Sequence, residues 1–238
     1  MRKRDPLARI EYGNTEPPFV VAPGTTAFVI VDVQYYDAHR DHGMGRAAKQ
    51  RGTFGELEYL YAQVDQIVPR IQKIQAACRE RGIEVVFVRI GALTRDGRDA
   101  AASRDRPPGA QPPYYLDKDA QVLHEIAPIG DELVFSKTTG SAFTSSTIDY
   151  VLRQIGIENL LICGVVTSGC VQRTARDADD LGYNVVVVGD CCAASSSLLH
   201  ESALEAMDQR RIRVKDTAEV LAMIGASAPA PAKELQRA

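Results

Sequence analysis

The sequence lacks several features that would point to particular classes of protein. Its 238 residues include no tryptophan, only four histidines and only five cysteines. No apolar run approaches the roughly 18 residues that a membrane-spanning helix needs, and no apolar stretch follows the basic residues at the N-terminus. We therefore expect neither a signal peptide nor a membrane span.

The chain also lacks an excess of charge of one sign. Its 28 basic and 31 acidic residues leave a formal net charge of −3. The arginines between residues 95 and 106 alternate with aspartates, so they form no basic patch of the kind that binds nucleic acid. The expected partner is a small molecule, with no nucleic acid and no membrane.

The cysteines give no sign of a structural role. Their number is odd, and none of them forms a Cys-x-x-Cys pair, so neither a disulfide framework nor a zinc site is expected. Reduced thiols are typical of cytoplasmic proteins, and we expect that location. One of the thiols is then available for chemistry.

Short apolar, β-branched runs alternate with amphipathic segments along the chain. Most of the runs are almost continuously apolar, as is typical of strands covered on both faces by helices. This order predicts a three-layer α/β/α sandwich with a mainly parallel six-stranded sheet. The predicted strands cover residues 27–33, 84–90, 132–136, 159–165, 183–189 and 212–215, and the predicted helices cover residues 57–81, 144–155, 171–181 and 197–210.

Two segments do not fit this alternation. Residues 91–117 are polar, long and rich in proline, so they form either a flexible excursion or a substrate lid. Residues 225–238 are rich in alanine and proline, and we expect a disordered tail there. The remaining residues, 1–224, are predicted to form a single domain.

Three chemically capable side chains stand at the carboxyl ends of different predicted strands, where open α/β sheets bind their ligands. They are Asp32, Lys137 and Cys170. Cys170 begins a predicted helix, whose N-terminus favours a thiolate and offers backbone N–H groups to an oxyanion. Asp32 can accept the thiol proton, and Lys137 can pair with both anions.

Each of these residues also has an ordinary structural interpretation. Cys170 can be a small buried apolar residue, Asp32 a helix cap or ion-pair partner, and Lys137 a surface charge. In that case the chain is a non-catalytic α/β module that serves assembly. The coincidence of three such groups at matching strand ends favours catalysis, because two of them lie in apolar settings that are costly for an unpaired charge.

The segment from about Thr25 to Ala222 resembles the isochorismatase-like cysteine hydrolase superfamily. Several short motifs carry this resemblance, and only together are they specific. They are Val31-Asp32-Val33-Gln34, Lys137-Thr138-Thr139-Gly140-Ser141-Ala142-Phe143, Gly164-Val165-Val166-Thr167-Ser168-Gly169-Cys170-Val171, Thr174, Asp177-Ala178, Gly182-Tyr183 and Asp190.

The resemblance implies a catalytic triad of Asp32, Lys137 and Cys170. It also implies a cis peptide bond between Val165 and Val166 that directs the Val166 N–H, together with that of Cys170, into an oxyanion hole. The implied reaction is hydrolysis of a C–N amide bond in a small carbamoyl or ureido compound through a thioester, by a homo-oligomer, either a dimer or a tetramer. Maleamate-type and nicotinamide-type amides, and esters, are alternative substrates.

The chain departs from some members of this superfamily. Nicotinamidases bind a metal through an aspartate and two histidines, but residues 88–91 offer no such ligand. His39 and His42 follow Asp37 on a polar segment, where solvation or hydrogen bonding is the usual role of such histidines. We predict no metal and no cofactor. True isochorismatases lack the cysteine, so Cys170 argues against that activity.

Substrate contacts are predicted among the polar side chains near the strand ends. A compact carbamoyl substrate needs several hydrogen-bond partners or a cation that faces a carboxylate. Each candidate also has a structural alternative, such as packing for the tyrosines and a pair with Asp179 or Asp180 for Arg176. The candidates are Gln34, Tyr35, Tyr36, Arg40, Arg176 and Gln209.

Overall fold

A computed structural model describes residues 19–100, 111–208 and 211–227. Its strands form one sheet with the order β3-β2-β1-β4-β5-β6, in which each neighbouring pair is parallel. The predicted six-stranded α/β architecture is therefore confirmed. The strands are β1 (Thr26–Val31), β2 (Glu84–Ile90), β3 (Leu133–Lys137), β4 (Asn159–Val165), β5 (Asn184–Ala193) and β6 (Arg213–Lys215).

The centre of the sheet is buried because helices cover both of its faces. All residues of β1 and of β4 are buried, which explains why the two strands are apolar almost throughout. The helices are α1 (Tyr35–Ala38), α2 (Gly43–Arg51), α3 (Glu58–Arg81), α4 (Ala142–Ser145), α5 (Ile148–Gln154), α6 (Gln172–Asp180), α7 (Ser197–Asp208) and α8 (Thr217–Gly225).

Helix α3 shows how the sequence pattern sets the packing. Its buried stripe includes Leu60, Val64 and Ile67, spaced at three or four residues as an amphipathic helix requires. The helix contacts β5 and α8. It ends at Gly82, whose left-handed backbone (φ 68°) lets its N–H cap the carbonyls of the last turn.

The prediction for residues 144–155 was wrong in one respect, because two short helices replace the single expected helix. Ser146 lies between α4 and α5, and its hydroxyl donates to the carbonyl of Ala142 and accepts from the N–H of Ile148. Side-chain bonds of this kind compete with the helical backbone. They interrupt the helix where the apolar pattern alone runs on.

Helices α1, α2 and α8 were not predicted. Helix α8 nevertheless has a readable start, because Asp216 and Glu219 form a reciprocal capping box. The predicted tail begins at residue 225, where α8 ends, and its residues beyond 227 lie outside the described ranges. Residues 209–210 of the predicted helix 197–210 lie outside them as well.

Backbone hydrogen bonds join the two described parts of the segment 91–117. The Ala92 N–H donates to the carbonyl of Pro113 (2.8 Å), and the Tyr115 N–H donates to that of Ala92 (2.9 Å). Whether the segment is an excursion or a lid stays a prediction, since residues 101–110 are not described. Among the described helices, none is long and apolar enough to cross a membrane.

Candidate active site

The structure brings Asp32, Lys137 and Cys170 together at the carboxyl edge of the sheet. Asp32 directly follows β1 and has a left-handed backbone (φ 55°), with its N–H held by the carbonyl of Val88 (2.8 Å). Lys137 is the last residue of β3. Cys170 lies in a π-helical turn (Thr167–Val171) that leads from β4 into α6.

The ammonium group of Lys137 joins the other two residues. Its Nζ lies 2.7 Å from Asp32 Oδ2, 3.3 Å from Cys170 Sγ and 3.0 Å from the carbonyl oxygen of Thr139. A lysine ammonium has three hydrogens, so each of them has an acceptor here. The side chain is completely buried. Lys137 is therefore held in one geometry by three partners.

Two opposing effects act on this buried ammonium. Burial on its own would lower the pKa of Lys137, but the negative charge of Asp32 and the proximity of Cys170 together outweigh it and raise the pKa. Lys137 accordingly stays protonated at neutral pH. A buried charge with such a partner is tolerated, whereas an unpaired one would be very costly.

The surroundings of Cys170, the nucleophile candidate, raise the pKa of its thiol, whereas a helix N-terminus is expected to lower it. Burial is the largest cause that raises the pKa of the Cys170 thiol, the negative charge of Asp32 raises it further, and Lys137 opposes them. These surroundings therefore favour the thiol form of Cys170 over the thiolate. The shift is opposite in direction to the one expected from a helix N-terminus, because burial and the nearby carboxylate outweigh Lys137.

The Asp32 carboxylate retains one oxygen for chemistry. Its Oδ2 binds Lys137, while Oδ1 is buried and has no hydrogen-bond partner among the described residues. A buried carboxylate oxygen without a protein donor calls for an explanation, and a role in proton transfer is one. The same carboxylate is near enough to Cys170 to raise the pKa of its thiol.

Two glycines shape the turn that carries Cys170. Gly164 (φ 127°) lies so close to β1 that a Cβ there would stand 2.0 Å from the carbonyl oxygen of Val31. A Cβ at Gly169 would stand 2.9 Å from a methyl group of Val166. Between them, a cis peptide bond joins Val165 to Val166. The turn then closes through the N–H of Gly169, which donates to the Val166 carbonyl (2.9 Å).

Gln34, one of the predicted substrate contacts, is held by backbone groups. Its side chain is completely buried, and its Nε2 donates to the carbonyls of Ile90 (2.9 Å) and Asp119 (3.3 Å). Its Oε1 accepts from the N–H of Ile90 (2.6 Å). Both amide hydrogens are thus used, and Gln34 joins the end of β1 to the end of β2.

Tyr35 and Arg40 also have partners within the protein. The Tyr35 ring is buried against His39 and His42, with the Lys118 ammonium 3.7 Å from its centre. Arg40 forms an ion pair with Asp65 on α3. The predicted substrate contacts of both residues stay predictions.

The remaining predicted contacts lie in different places. Tyr36 lines a surface pocket of about 850 Å³ that also includes Met44, Arg46 and Lys118 and none of the three reacting groups. Arg176 is exposed on α6, and Asp179, considered as its partner, forms an ion pair with Arg211. Gln209 lies outside the described residues.

The two histidines considered as metal ligands take part in hydrogen bonds. His42 Nδ1 lies 2.7 Å from Asp119 Oδ1, and His39 Nδ1 accepts from the N–H of Asp41 (3.1 Å). Within residues 19–100, 111–208 and 211–227, no group of three or more histidine, cysteine or acidic side chains is arranged to hold a metal.

Sequence reasoning missed the loop that follows β3. The Thr139 carbonyl completes the shell of the Lys137 ammonium, and the Ser145 hydroxyl holds the loop through the N–H groups of Thr138 (3.0 Å) and Thr139 (3.1 Å). Every residue has a backbone carbonyl, so the sequence does not show that the carbonyl of Thr139 contacts Lys137. The glycine at position 140 was the only sign of a tight loop there.

The comparison with known proteins identifies the family. A model of the isochorismatase domain matches residues 26–219. The chain belongs to the isochorismatase family. Membership of a hydrolase family overturns the alternative of a non-catalytic assembly module, so this protein is an isochorismatase-family hydrolase.

Individual members of the isochorismatase family are similar over most of the chain. The protein YecD of Escherichia coli O157:H7 is 30% identical over 66% of this chain and 82% of its own length. Ureidoacrylate amidohydrolase RutB of Pseudomonas savastanoi pv. phaseolicola is 29% identical over 77% of this chain and 76% of its own. The crystal structure of a cysteine hydrolase from Pseudomonas syringae pv. phaseolicola has a TM-score of 0.73 at 26% identity, covering 89% of this chain and 99% of that one.

Proposed function

We propose that this protein hydrolyses the C–N bond of a small carbamoyl or ureido amide, with Cys170 as nucleophile, Asp32 as proton carrier and Lys137 as the cation that joins them. The observation that carries the proposal is the contact of one buried ammonium with both Asp32 Oδ2 (2.7 Å) and Cys170 Sγ (3.3 Å). Mutual geometry of this kind is what nucleophilic catalysis by a weak nucleophile requires.

The first half of the reaction forms a thioester. Asp32 Oδ1 accepts the thiol proton while the Cys170 sulfur attacks the carbonyl carbon, and Lys137 stabilises the negative charge that develops on sulfur. The carbonyl oxygen becomes an oxyanion, for which the N–H groups of Val166 and Cys170 are the proposed donors. Collapse of the intermediate breaks the C–N bond, and Asp32 returns the proton to the departing nitrogen.

The second half of the reaction releases the acid. Asp32, again ionised, accepts a proton from a water molecule that attacks the thioester, and the same N–H groups hold the second oxyanion. The C–S bond then breaks, and the Cys170 sulfur regains a proton. A carboxylate with one oxygen fixed by Lys137 and the other without a partner suits both transfers.

The ureido class of substrate is supported by similarity. RutB, named for ureidoacrylate, aligns with more than three quarters of both chains. The absence of tryptophan weighs against a site built to stack a large flat ring such as nicotinamide. Tyr36 and Arg176 stay predictions as substrate contacts, and so does Gln209.

A substrate panel tests the proposal. Ammonia release is measured with biuret, triuret, N-carbamoyl amino acids, ureidoacrylate, maleamate and nicotinamide. We expect turnover of one or more carbamoyl or ureido compounds, and a fall of at least a hundredfold for Cys170→Ala. Cys78→Ala, at a buried cysteine on α3, is the matched control. Turnover by Cys170→Ala above a tenth of the wild-type rate would contradict the proposed nucleophile.

We also propose that the protein forms a homo-oligomer. Large apolar side chains are exposed on its surface, among them Tyr150 (67%) and Leu198 (72%), and a subunit contact would remove such side chains from water. Light scattering coupled to gel filtration tests this directly. A dimer or tetramer is expected, and a monomer at micromolar concentration would contradict it.

A further inference from the structure

A hydrogen bond outside the three reacting groups anchors the turn that carries the nucleophile. The Thr167 Oγ1 lies 2.9 Å from Nδ1 of His200. Thr167 is the first residue of the π-helical turn, and it is completely buried. His200 comes from the first turn of α7 and is partly buried. The bond therefore connects a separate helix to the segment between Val166 and Cys170.

The backbone carbonyl and the side-chain hydroxyl of Thr167 are both hydrogen-bonded. Its carbonyl accepts from the N–H of Gln172 at the start of α6, and its hydroxyl pairs with His200. A buried hydroxyl that loses its partner carries the full cost of desolvation. Removal of the imidazole would accordingly drive the turn to reorganise until the hydroxyl finds water or another acceptor.

Such a reorganisation would act on the groups that the proposed mechanism depends on. Thr167 directly follows Val166, a proposed oxyanion donor, and Cys170 lies three residues farther along the same turn. The Cys170 sulfur is only 3.3 Å from the Lys137 ammonium, so a shift of about an ångström would weaken that contact. Displacements of this size can cost a hundredfold in rate.

We propose that His200 is a positioning residue for the nucleophile turn, acting through the Thr167 hydroxyl on the alignment of the Cys170 thiol and the Val166 N–H. The role requires a hydrogen-bonding atom at the position of Nδ1 and makes no demand on the second ring nitrogen. An asparagine side chain offers such an atom at nearly the same distance from the backbone. This inference rests on the proposed function, because it describes how that site is held.

The decisive variants are His200→Ala, His200→Asn and Thr167→Val. We expect kcat to fall about 10- to 100-fold in His200→Ala while KM stays within threefold, since the turn touches the reacting atoms and not the rest of the substrate. His200→Asn should recover kcat to within threefold of wild type. Thr167→Val removes the anchor without leaving a buried hydroxyl unpaired, so it should show a smaller loss than His200→Ala, and the double variant should be no worse than His200→Ala. His124→Ala, at an exposed histidine, is the control.

Several outcomes would overturn the inference. They are a kcat for His200→Ala within twofold of wild type, a His200→Asn variant no better than His200→Ala, and additive losses in the double variant. If His200→Ala does not fold, Thr167→Val and His200→Asn still decide the matter.

A second readout separates this inference from the proposed function. If the wild-type protein hydrolyses none of the amides in the panel, the proposed function fails, but alkylation of Cys170 by iodoacetamide still reports its alignment with Lys137. We expect His200→Ala to slow this alkylation at least threefold and His200→Asn to restore it. Equal rates in all three proteins would overturn the positioning role by itself.

Discussion

Replacement of Asp32 by asparagine should separate the reactivity of the thiol from catalysis. The negative charge of Asp32 is one of the causes that raise the pKa of Cys170, whereas Lys137 lowers it. Asp32→Asn removes the charge and keeps the shape, so Lys137 then acts on the sulfur without the opposing charge of Asp32, although burial still opposes it. The variant should hold a sulfur that is easier to ionise than that of the wild type.

The size of the effect follows from the charge interaction. A neighbouring charge shifts a pKa by about 1–3 units, which raises the thiolate fraction about 10- to 1000-fold while the pKa stays above the pH. The nucleophilicity of a thiolate falls with its pKa (a Brønsted coefficient of about 0.4–0.5), so the net gain in alkylation rate is about 3- to 50-fold. Amide hydrolysis should instead fall by about 10²- to 10⁴-fold, because no group is left to carry the proton.

The assay compares two rates in the same preparations. Iodoacetamide labelling at pH 7.5 is followed by mass spectrometry of the Cys170 peptide, with the buried Cys163 as an internal reference, and ammonia release is measured in parallel. Asp65→Asn, at an exposed carboxylate, serves as the matched control. Circular dichroism establishes that the variant folds, since breaking a buried pair costs about 3–5 kcal/mol.

Two results would refute this reasoning. If Asp32→Asn is alkylated no faster than the wild type, Asp32 activates the thiol already in the free protein, and the sulfur is not a neutral thiol at rest. If the variant keeps more than a tenth of the wild-type turnover, Asp32 is not the proton carrier.

Three further predictions concern stability and substrate contact. Gly164→Ala should lower the free energy of unfolding, measured in urea, by more than about 3 kcal/mol, because the new Cβ would meet the Val31 carbonyl. Gly182→Ala is the control, since Gly182 also has a positive φ but open space around it, and it should cost about 1 kcal/mol. Equal losses would contradict the clash. Burial raises the pKa of Cys78 from 9.0 to about 12, so the stability it contributes is complete below pH 9 and is lost as the pH rises toward 12. Cys78→Ala should therefore reduce the alkaline fall of the free energy of unfolding, measured in urea, by about 1.4 kcal/mol per pH unit, and an unchanged slope would refute this. Gln34→Met should cost about 1–3 kcal/mol of stability and leave KM unchanged, and a severalfold rise in KM would return Gln34 to the substrate.

The parts of the fold that the sequence could predict are those with a local signal. A strand buried on both faces must be apolar throughout, and this is why β1 and β4 stand out as continuous runs. Helix α8 had a comparable signal in Asp216 and Glu219, which only had to be interpreted as a capping box. The break between α4 and α5 had none, since serine occurs both inside helices and between them.

In the site, too, the features that could be predicted are those with a local sequence signal, and the features that were missed depend on residues far apart in the chain. The strand-end rule brought Asp32, Lys137 and Cys170 to one edge because topology alone decides that outcome. The role of Gln34 depends on the backbone of Ile90, 56 residues away in sequence, and that of His200 on Thr167, 33 residues away. The pKa of Cys170 depends on burial, which the sequence leaves open. Such properties arise only when the elements have packed.

The order of the strands has a consequence for the life of the chain before it is complete. β2 lies between β1 and β3, so the lysine stem at the end of β3 must reach across a whole strand to meet its partners. A newly synthesised or partly opened chain, with any one of these strands undocked, carries an ordinary sulfhydryl and an ordinary amine. Assembly of the sheet therefore brings the proposed nucleophile, proton carrier and cation within reach of one another, and the proposed hydrolysis requires all of these strands in place.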